Sequence, residues 1–305
     1  MNCTSILTCG LLSVGLAAAQ SRYASPEEAV QALARAANSK DTAALSAIFG
    51  PDRAKLLTGD PVLDDNALQH FAANLAAAHK LQKVSDTKLT LLVGADDWPS
   101  PIPIVRDGDQ WRFDTAAGLE EILNRHIGDD ELSAILTCRA YVVAQWEYYT
   151  KATGTSRDGL AVYAQKFVSS PGQHDGLYWD TPPGAPPSPL GSLVAQARAE
   201  GYATAGQSRP AGSPQRPFHG YLFRILTRQG PYAPGGRFSY LINGNMIAGY
   251  ALIAYPDKWG SSGIMTFIVN NQGRVYEKNL GPHTTQRAAP ILEYDPDPTW
   301  KLVKQ

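Results

Sequence analysis

The chain has 305 residues, of which 44% are hydrophobic and 18% are charged, a balance typical of a folded protein and not of a disordered one. Its 27 basic and 28 acidic residues leave a formal net charge of −1, which excludes a globally basic surface of the kind that recruits nucleic acid. The length suffices for two domains of ordinary size.

Residues 1–19 have the pattern of a signal peptide. The apolar run over 6–19 is too short to cross a bilayer as a helix, and it ends in three alanines, as at a cleavage site. We therefore expect a periplasmic or secreted protein. The segment lacks an early Lys or Arg, which leaves open an apolar helix that is retained. No later stretch approaches eighteen apolar residues, so no membrane span is expected after cleavage.

Residues that could bind a metal ion are few and scattered. Without residues 1–19, Cys138 is the only cysteine, which excludes an internal disulfide and a cysteine-based zinc site. The six histidines stand in separate contexts without the spacing of metal ligands. We expect no metal ion and no cofactor.

The first half, residues 25–128, is predicted to form an α+β domain. Ser25 before Pro26 and Glu28 is a strong helix-start signal, and Asp107-Gly108 predicts a hairpin turn. The predicted helices cover 26–38, 43–50, 66–80 and 118–125, the last closed by Gly128, and the predicted strands cover 89–94, 103–106 and 110–114.

Helices followed by a curled antiparallel sheet, with SPEEAVQALARAANSKDTAALSAIF at the start and IVRDGDQWRF in the late hairpin, resemble the nuclear-transport-factor-two-like (cystatin-like) architecture. The resemblance implies a cone that holds a pocket. Asp97 and His126 are candidate catalytic residues there, and Trp98 is a candidate wall that could contact a ligand. For Asp97, which follows Asp96, the favoured alternative is a turn-capping role, and for His126 a surface position at a helix end.

A long amphipathic helix is predicted over Asp129–Lys151, and it opens the second domain, 129–305. Asp129 and Asp130 fit its first turn, where carboxylates favour the helix dipole. Two neighbouring apolar stripes predict a broad face that covers a sheet. Cys138 lies on this face, where a buried thiol is favoured over a reactive one. The stripes contain Leu132, Ile135, Leu136, Ala140, Val143 and Trp146, and Ile135, Cys138, Val142, Trp146 and Tyr149.

The remainder of the second half is predicted to contain an antiparallel β-meander, with short helices and loops before it. Asn243-Gly244 is its clearest turn, and Asp295–Pro298 is expected to be a solvated tail. The predicted strands cover 221–227, 238–242, 249–255, 264–269 and 274–278, the helices 161–167 and 190–201, and a surface loop 203–217.

Several stretches spread over nearly all of residues 25–300 resemble an uncharacterised bacterial family catalogued as domain of unknown function 2950. They are GADDWPSPIPIV, WRFDTAAGLEEILNRHIG, CRAYVVAQWEY, HDGLYW, FHGYLFRILTRQGPYAPGG and YLINGNMIAGYALIAYPDKWGSSGIMTFIVNNQGRVYEKNLGP. The resemblance brings no established activity. It implies a calcium-type acidic loop near 155–160, but Asp158 is the only carboxylate there, too few for calcium.

The second half is also similar to the globular heads of type IV pilins and pseudopilins. A long helix, a loop and strands such as GYALIAYP and GIMTFIVNNQGRVY carry this similarity. It implies a head-like fold but not a filament subunit. A pilin retains its N-terminal apolar helix, whereas the apolar segment here precedes another domain and looks cleavable.

The sequence contains none of the common catalytic motifs: no G-x-S-x-G, P-loop, G-x-G-x-x-G after a strand, H-E-x-x-H or C-x-x-C. Weak candidates for ligand binding are the loop aromatics Tyr178 and Trp179, and His219 and Arg224 at the first strand of the meander. Aromatic loop residues suit a sugar or a peptide, and the favoured alternative is that they close the ends of the core.

Together these observations favour an exported, non-enzymatic protein that acts by binding or assembly in the envelope or outside the cell. Its expected partner is an envelope protein or a glycan, and not nucleic acid. The alternative is a hydrolase-type enzyme that uses Asp97 and His126 in a pocket of the first domain.

Overall fold

The protein is α+β, as predicted, and its sheets are antiparallel. The computed structural model describes residues 20–57, 61–151, 159–199 and 217–304. The predicted signal peptide, most of the calcium-type loop and most of the loop over 203–217 lie outside these residues. Contacts divide the chain into two compact units, Met1–Asn124 and Arg125–Gln305.

The helices of the first unit begin at the predicted caps. The hydroxyl of Ser25 accepts the backbone N–H of Glu28, and Asp41 accepts those of Ala43 and Ala44. These bonds satisfy N–H groups that a helix start leaves without partners. The helical elements are α1 (Pro26–Asn38), α2 (Thr42–Phe49), a 3-10 helix (Gly50–Leu56) and α3 (Pro61–Ala77).

The sheet of the first unit has the order β1–β2–β4–β5, and β3 pairs with the end of β2. Its strands are β1 (His79–Ser85), β2 (Lys88–Val93), β3 (Trp98–Pro99), β4 (Ile104–Asp107) and β5 (Gln110–Phe113). The predicted helix 66–80 is wrong at its end, because α3 stops at Ala77 and His79 pairs with Val93. Side chains of β1 are mostly exposed, so this strand lacks the alternating pattern that predicts a strand.

The core of the first unit lies between the helices and the sheet. Leu91, Ile104 and Phe113 of the sheet pack with Ala29 and Leu33 of α1, and all five are almost completely buried. Aliphatic and aromatic side chains therefore occupy the space between these elements, where the cone-like architecture would hold its pocket.

Helix α4 spans Thr115–Thr150, and the division between the units falls within it. The predicted break at Gly128 is wrong. A glycine inside a helix costs only about 1 kcal/mol relative to alanine, which tertiary packing readily offsets. Gly118, by contrast, is needed for close packing, because a Cβ there would lie 2.5 Å from the Cγ1 of Ile102. Asp129 and Asp130 consequently lie inside the helix and do not cap it.

The buried face of α4 differs from the predicted one. Leu132, Leu136, Val143 and Trp146 are 55%, 52%, 65% and 60% exposed. The residues that face the core follow a helical spacing, and they include three small residues, two tyrosines and one glutamine: Ala134, Cys138, Tyr141, Ala144, Gln145 and Tyr148. Cys138 is fully buried, as predicted. Both faces of the helix are apolar in sequence, so hydrophobicity alone could not select the buried one.

The second unit contains a sheet of order β14–β13–β12–β11–β6. Helix α4 packs on it, as predicted: the Tyr141 hydroxyl donates to the carbonyl of Ala251, and the Tyr250 hydroxyl donates to that of Val142. The strands are β6 (Tyr221–Leu226), β11 (Ala251–Pro256), β12 (Met265–Asn270), β13 (Tyr276–Asn279) and β14 (Lys301–Leu302), and the short pairs are β7 (Arg228–Gln229) with β8 (Phe238–Ser239) and β9 (Leu241–Ile242) with β10 (Asn245–Met246).

Two predicted elements of the second unit are wrong. The strand over 238–242 does not enter the main sheet, because it divides into β8 and β9, which pair with β7 and β10. Asn243 and Gly244 have φ of +50° and +80° and join β9 to β10, so the predicted turn is correct. Residues 161–167 are not helical, and Ala164 instead forms backbone hydrogen bonds with the buried amide of Gln145.

The chain after β13 covers the sheet face opposite α4. Alternation along the strands places Tyr221 and Phe267 on the face of α4, and Arg224 and Ile268 on the other face. The short helices of this unit are α5 (Gly191–Ala199) and α6 (Thr284–Ala288). Among the described residues, no helix is long and apolar enough to cross a bilayer.

Candidate functional site

The predicted site residues of the first unit lie in a turn between β2 and β3. Asp97 has φ of +55°, and its carboxylate lies 2.6 Å from the Nζ of Lys80. Trp98 is 48% exposed and pairs through its backbone with Val93. In this geometry the Asp97 carboxylate forms a surface ion pair.

Two other predicted residues meet at one carboxylate. The Nε2 of His126 lies 3.3 Å from the Oδ2 of Asp130, one turn further along α4. His219 and Gly220, with φ of +43° and +66°, form the centre of a tight turn that brings the chain to Asp130. A Cβ at position 220 would lie 2.6 Å from the Oδ2 of Asp130, so this approach requires glycine.

The contacts of Asp130 and of its neighbour Glu131 join α4 to the loops beside the sheet, at 219–220 and at 264–265. Burial raises the pKa of Asp130, and the positive charges of His126 and His219 act in the opposite direction. The neighbouring carboxylate of Glu131 accepts the backbone N–H groups of Ile264 and Met265 at 2.9 and 3.0 Å. Among the residues that the structure describes, no group of three or more His, Cys, Asp or Glu side chains could hold a metal ion.

Tyr178 and Trp179 lie at the edge of the hydrophobic core of the second unit. Tyr178 is buried, and its hydroxyl donates to the Oδ1 of Asp180 at 2.5 Å. Trp179 packs against the same core, and its ring stacks on His174 with the centroids 4.3 Å apart. Arg198 of α5 also donates to Asp180, at 3.2 Å. These contacts are made within the protein, so they occupy much of the polar surface that the loop could offer to a ligand.

Arg224 forms hydrogen bonds with the end of α6 and with the residues that follow it. Its guanidinium donates to the carbonyl oxygens of Ala288, Ala289 and Ile291 at 2.7, 3.1 and 2.7 Å. Its Nε is buried and has no hydrogen-bond partner among the described residues. Arg224 therefore holds the backbone of residues 288–291 against the sheet.

The described surface includes two clefts large enough to consider as ligand sites. The larger, of about 580 Å³, lies in the first unit between α2, the 3-10 helix and α3, and its lining is mainly aliphatic. The smaller, of about 340 Å³, lies in the second unit and combines apolar, aromatic and charged groups. We name it the C-terminal cleft; its charged and aromatic lining consists of Arg228, Arg237, Lys278, Glu293, Asp295, Asp297 and Trp300.

The C-terminal cleft has a balanced charge and an aromatic wall. Glu293 lies between two guanidinium groups, 3.6 Å from the Nε of Arg228 and 3.7 Å from that of Arg237. The ammonium of Lys278 lies 5.6 Å from the ring centroid of the half-buried Trp300, within cation–π range. Basic and acidic side chains and one indole thus line the same cleft.

Backbone contacts fix two carboxylates of the cleft. Asp295 accepts the N–H of Tyr232 at 2.8 Å, and it packs so closely on Gly230 that a Cβ there would lie 2.3 Å from the carboxyl carbon. Asp297 accepts the hydroxyl and the N–H of Thr299. The Thr299 hydroxyl, and to a smaller degree its N–H and the charge of Lys278, hold the pKa of Asp297 below its usual range.

The sequence alone does not predict this cleft. Asp295–Pro298 is not a solvated tail, since Asp295 and Asp297 are hydrogen-bonded and the chain continues into β14, which pairs with β13. The only signal in the sequence is the alternation of Asp and Pro before Trp300, and it does not reveal the basic side chains that converge there from 228–278.

Comparison with known proteins identifies the family but no relative of known role. No curated protein and no solved structure matches the chain. The similarities to pilin heads and to the cystatin-like architecture therefore remain expectations. The model of the family described as protein of unknown function (DUF2950) matches residues 20–303. This match covers nearly the whole sequence, and the chain belongs to that family.

Proposed function

We propose that this protein is exported and acts by binding in the cell envelope or outside the cell, with the C-terminal cleft as its ligand site. The observation that carries the proposal is that basic and acidic side chains line one concave surface together with Trp300, and that Lys278 lies over the Trp300 ring. Concave sites that combine apolar walls with a few oriented polar groups are typical of ligand binding. The apolar run over 6–19 supports export.

The electrostatics of Asp297 favour a binding role over that of a general acid. A carboxyl group such as Asp297, with its pKa below the usual range, stays ionised near neutral pH and cannot act as a general acid there. Glu293 is shared by two guanidinium groups, an arrangement that orients a ligand. The contacts of Asp97 with Lys80 and of His126 with Asp130 do not favour the hydrolase alternative.

Sedimentation with washed envelope fragments of the producing organism tests this proposal. We expect the wild-type protein to sediment with the fragments in a saturable manner. Trp300→Ala, which removes the aromatic wall, should weaken retention about tenfold, as truncation of a central aromatic anchor commonly does. Arg237→Glu, which places a carboxylate beside Glu293, should weaken it by a similar factor.

Trp146→Ala provides the matched control, because Trp146 is a 60% exposed tryptophan of the same unit outside the cleft. Its retention should equal that of the wild type. Thermal melting of each variant separates a loss of binding from a loss of folding. Retention that is unchanged in both cleft variants, or absent in the wild type, would overturn the proposal.

A further inference from the structure

The charged side chains that line the cleft sum to no net charge. Its basic and acidic side chains are equal in number, three of each among the described residues, and Glu293 is already shared by Arg228 and Arg237. Asp295 and Asp297 are likewise engaged by backbone N–H groups. An ionic ligand would have to displace these contacts and would gain little from the surrounding field, so the lining favours a neutral ligand.

The same lining offers many directed hydrogen-bonding groups. Each guanidinium has more N–H donors than its contact with Glu293 uses, and a carboxylate has more lone pairs than one N–H occupies. Hydrogen bonds from such charged groups are stronger than those between neutral groups. A ligand that bears several hydroxyl groups, each both donor and acceptor, can use both kinds of partner at once.

Trp300 offers a flat apolar surface within the same lining. The ammonium of Lys278 lies over its ring, and such a contact is worth only about 0.5–1 kcal/mol at an exposed site. A ligand with an apolar face can therefore displace Lys278 at low cost. A pyranose has such a face, formed by its C–H bonds, and hydroxyl groups around its edge.

From these three features we infer that the C-terminal cleft binds a neutral saccharide, with one sugar ring stacked on Trp300 and its hydroxyl groups bonded to the charged rim. This inference rests on the proposed binding role of the cleft. The cleft volume, about 340 Å³, lies near the lower end of the range of about 300–1,000 Å³ for ligand sites. It suits a short part of a glycan chain rather than a large folded partner.

Isothermal titration calorimetry of the full-length protein tests the inference with three trisaccharides and one tripeptide. Two are neutral, N,N′,N″-triacetylchitotriose and maltotriose, one is anionic, trigalacturonate, and one is a zwitterionic tripeptide, trialanine. We expect at least one neutral trisaccharide to bind and the two charged probes to bind at least tenfold more weakly. Binding of the tripeptide or of the anionic sugar alone would overturn the inference.

Two substitutions distinguish stacking from ion pairing. Trp300→Ala should reduce the affinity for the neutral probe about tenfold, whereas Trp300→Phe, which keeps an aromatic face, should lose much less. Lys278→Met should reduce the affinity for the neutral probe less than Trp300→Ala does, because it frees the indole face while it removes one hydrogen-bond donor of the rim. A loss in Lys278→Met that exceeds the loss in Trp300→Ala would show that ion pairing outweighs stacking, which contradicts a neutral stacked sugar.

The outcome also separates this inference from the proposed function. If no neutral trisaccharide binds while sedimentation with envelope fragments still depends on Trp300, the ligand class is wrong and the binding role of the cleft stands. If neutral sugars bind equally to the wild type and to Trp300→Ala, sugar binding occurs elsewhere, and both the stacked geometry and the assignment of the cleft fail.

Discussion

The guanidinium of Arg224 on β6 donates a hydrogen bond to the carbonyl oxygen of Ile291, 2.7 Å away and 67 residues later in the chain. Two more of its hydrogen bonds reach Ala288 and Ala289. The cleft wall at 290–293 therefore rests on an arginine of the sheet, and the stability of the sheet and the shape of the cleft are coupled.

Arg224→Lys should destabilise the second unit by about 2 kcal/mol, because one ammonium cannot replace three directed bonds from a charged group to carbonyls, two of them partly buried. Urea denaturation measures the free energy of unfolding. Arg274→Lys, at an exposed arginine of the same unit, should change it by no more than about 0.5 kcal/mol. Equal effects of the two substitutions would show that the contacts of Arg224 contribute nothing specific.

Neighbouring positions of α4 should respond in opposite ways to the same charge. Ala144 is 1% exposed and Val143 is 65% exposed. Ala144→Asp buries a carboxylate and should destabilise the unit by about 3 kcal/mol or prevent folding, whereas Val143→Asp should change stability by about 0.5 kcal/mol or less. Thermal melting compares the two variants. Greater damage from Val143→Asp would mean that the other face of the helix is the covered one.

The thiol of Cys138 should be unreactive in the native protein. It is fully buried, and burial raises its pKa to about 12. Because the thiolate is the nucleophile, we expect no labelling by a thiol-specific disulfide reagent at about pH 8 until the protein is unfolded. In denaturant, one thiol should react per chain without residues 1–19. Rapid labelling of the native protein would contradict the packing of α4 on the sheet.

The carboxyl group of Asp130 should make stability fall as pH rises. Burial raises its folded-state pKa above the unfolded value of about 3.9, so the folded state favours the protonated form. This contribution is fully present below about pH 3.9 and is lost as the pH rises through the folded pKa. Asp130→Asn should lack it.

The difference in unfolding free energy between the wild type and Asp130→Asn should therefore decrease as the pH rises from about 4. Urea denaturation at several pH values measures this difference. Asp129→Asn removes a carboxyl group from the exposed neighbouring position and serves as the control for net charge. A difference that increases with pH below about pH 4 and stays constant above it would show that the charges of His126 and His219 outweigh burial.

Local chemistry allowed much of the fold to be predicted from the sequence. Ser25 caps α1 and Asn243-Gly244 forms a hairpin turn because both effects depend on a few adjacent residues. The exposed edge strand β1 was missed because few of its residues are buried, so its pairing with β2 leaves no hydrophobic alternation. The buried side of α4 could not be selected because both sides carry apolar residues.

The candidate site was harder to predict because its parts are distant in sequence. His126 and His219 are each candidate site residues in the sequence. Their approach to Asp130 depends on the turn at 219–220, which follows His126 by 93 residues. The C-terminal cleft depends on sheet pairing that brings Lys278 of β13 near Trp300, just before β14. Pairing between residues so far apart in the chain leaves no pattern within a short stretch of sequence.

The most direct test of the central claim follows the indole of Trp300 itself. The protein is labelled with 5-fluorotryptophan, its six ¹⁹F resonances are recorded, and that of Trp300 is assigned from the Trp300→Phe spectrum. Soluble envelope extract is then added in increasing amounts. We predict that the Trp300 resonance shifts in a saturable manner while those of Trp146 and the other tryptophans stay in place. A Trp300 resonance that does not move, while the extract binds the protein or shifts another tryptophan, would contradict the assignment of the C-terminal cleft as the ligand site.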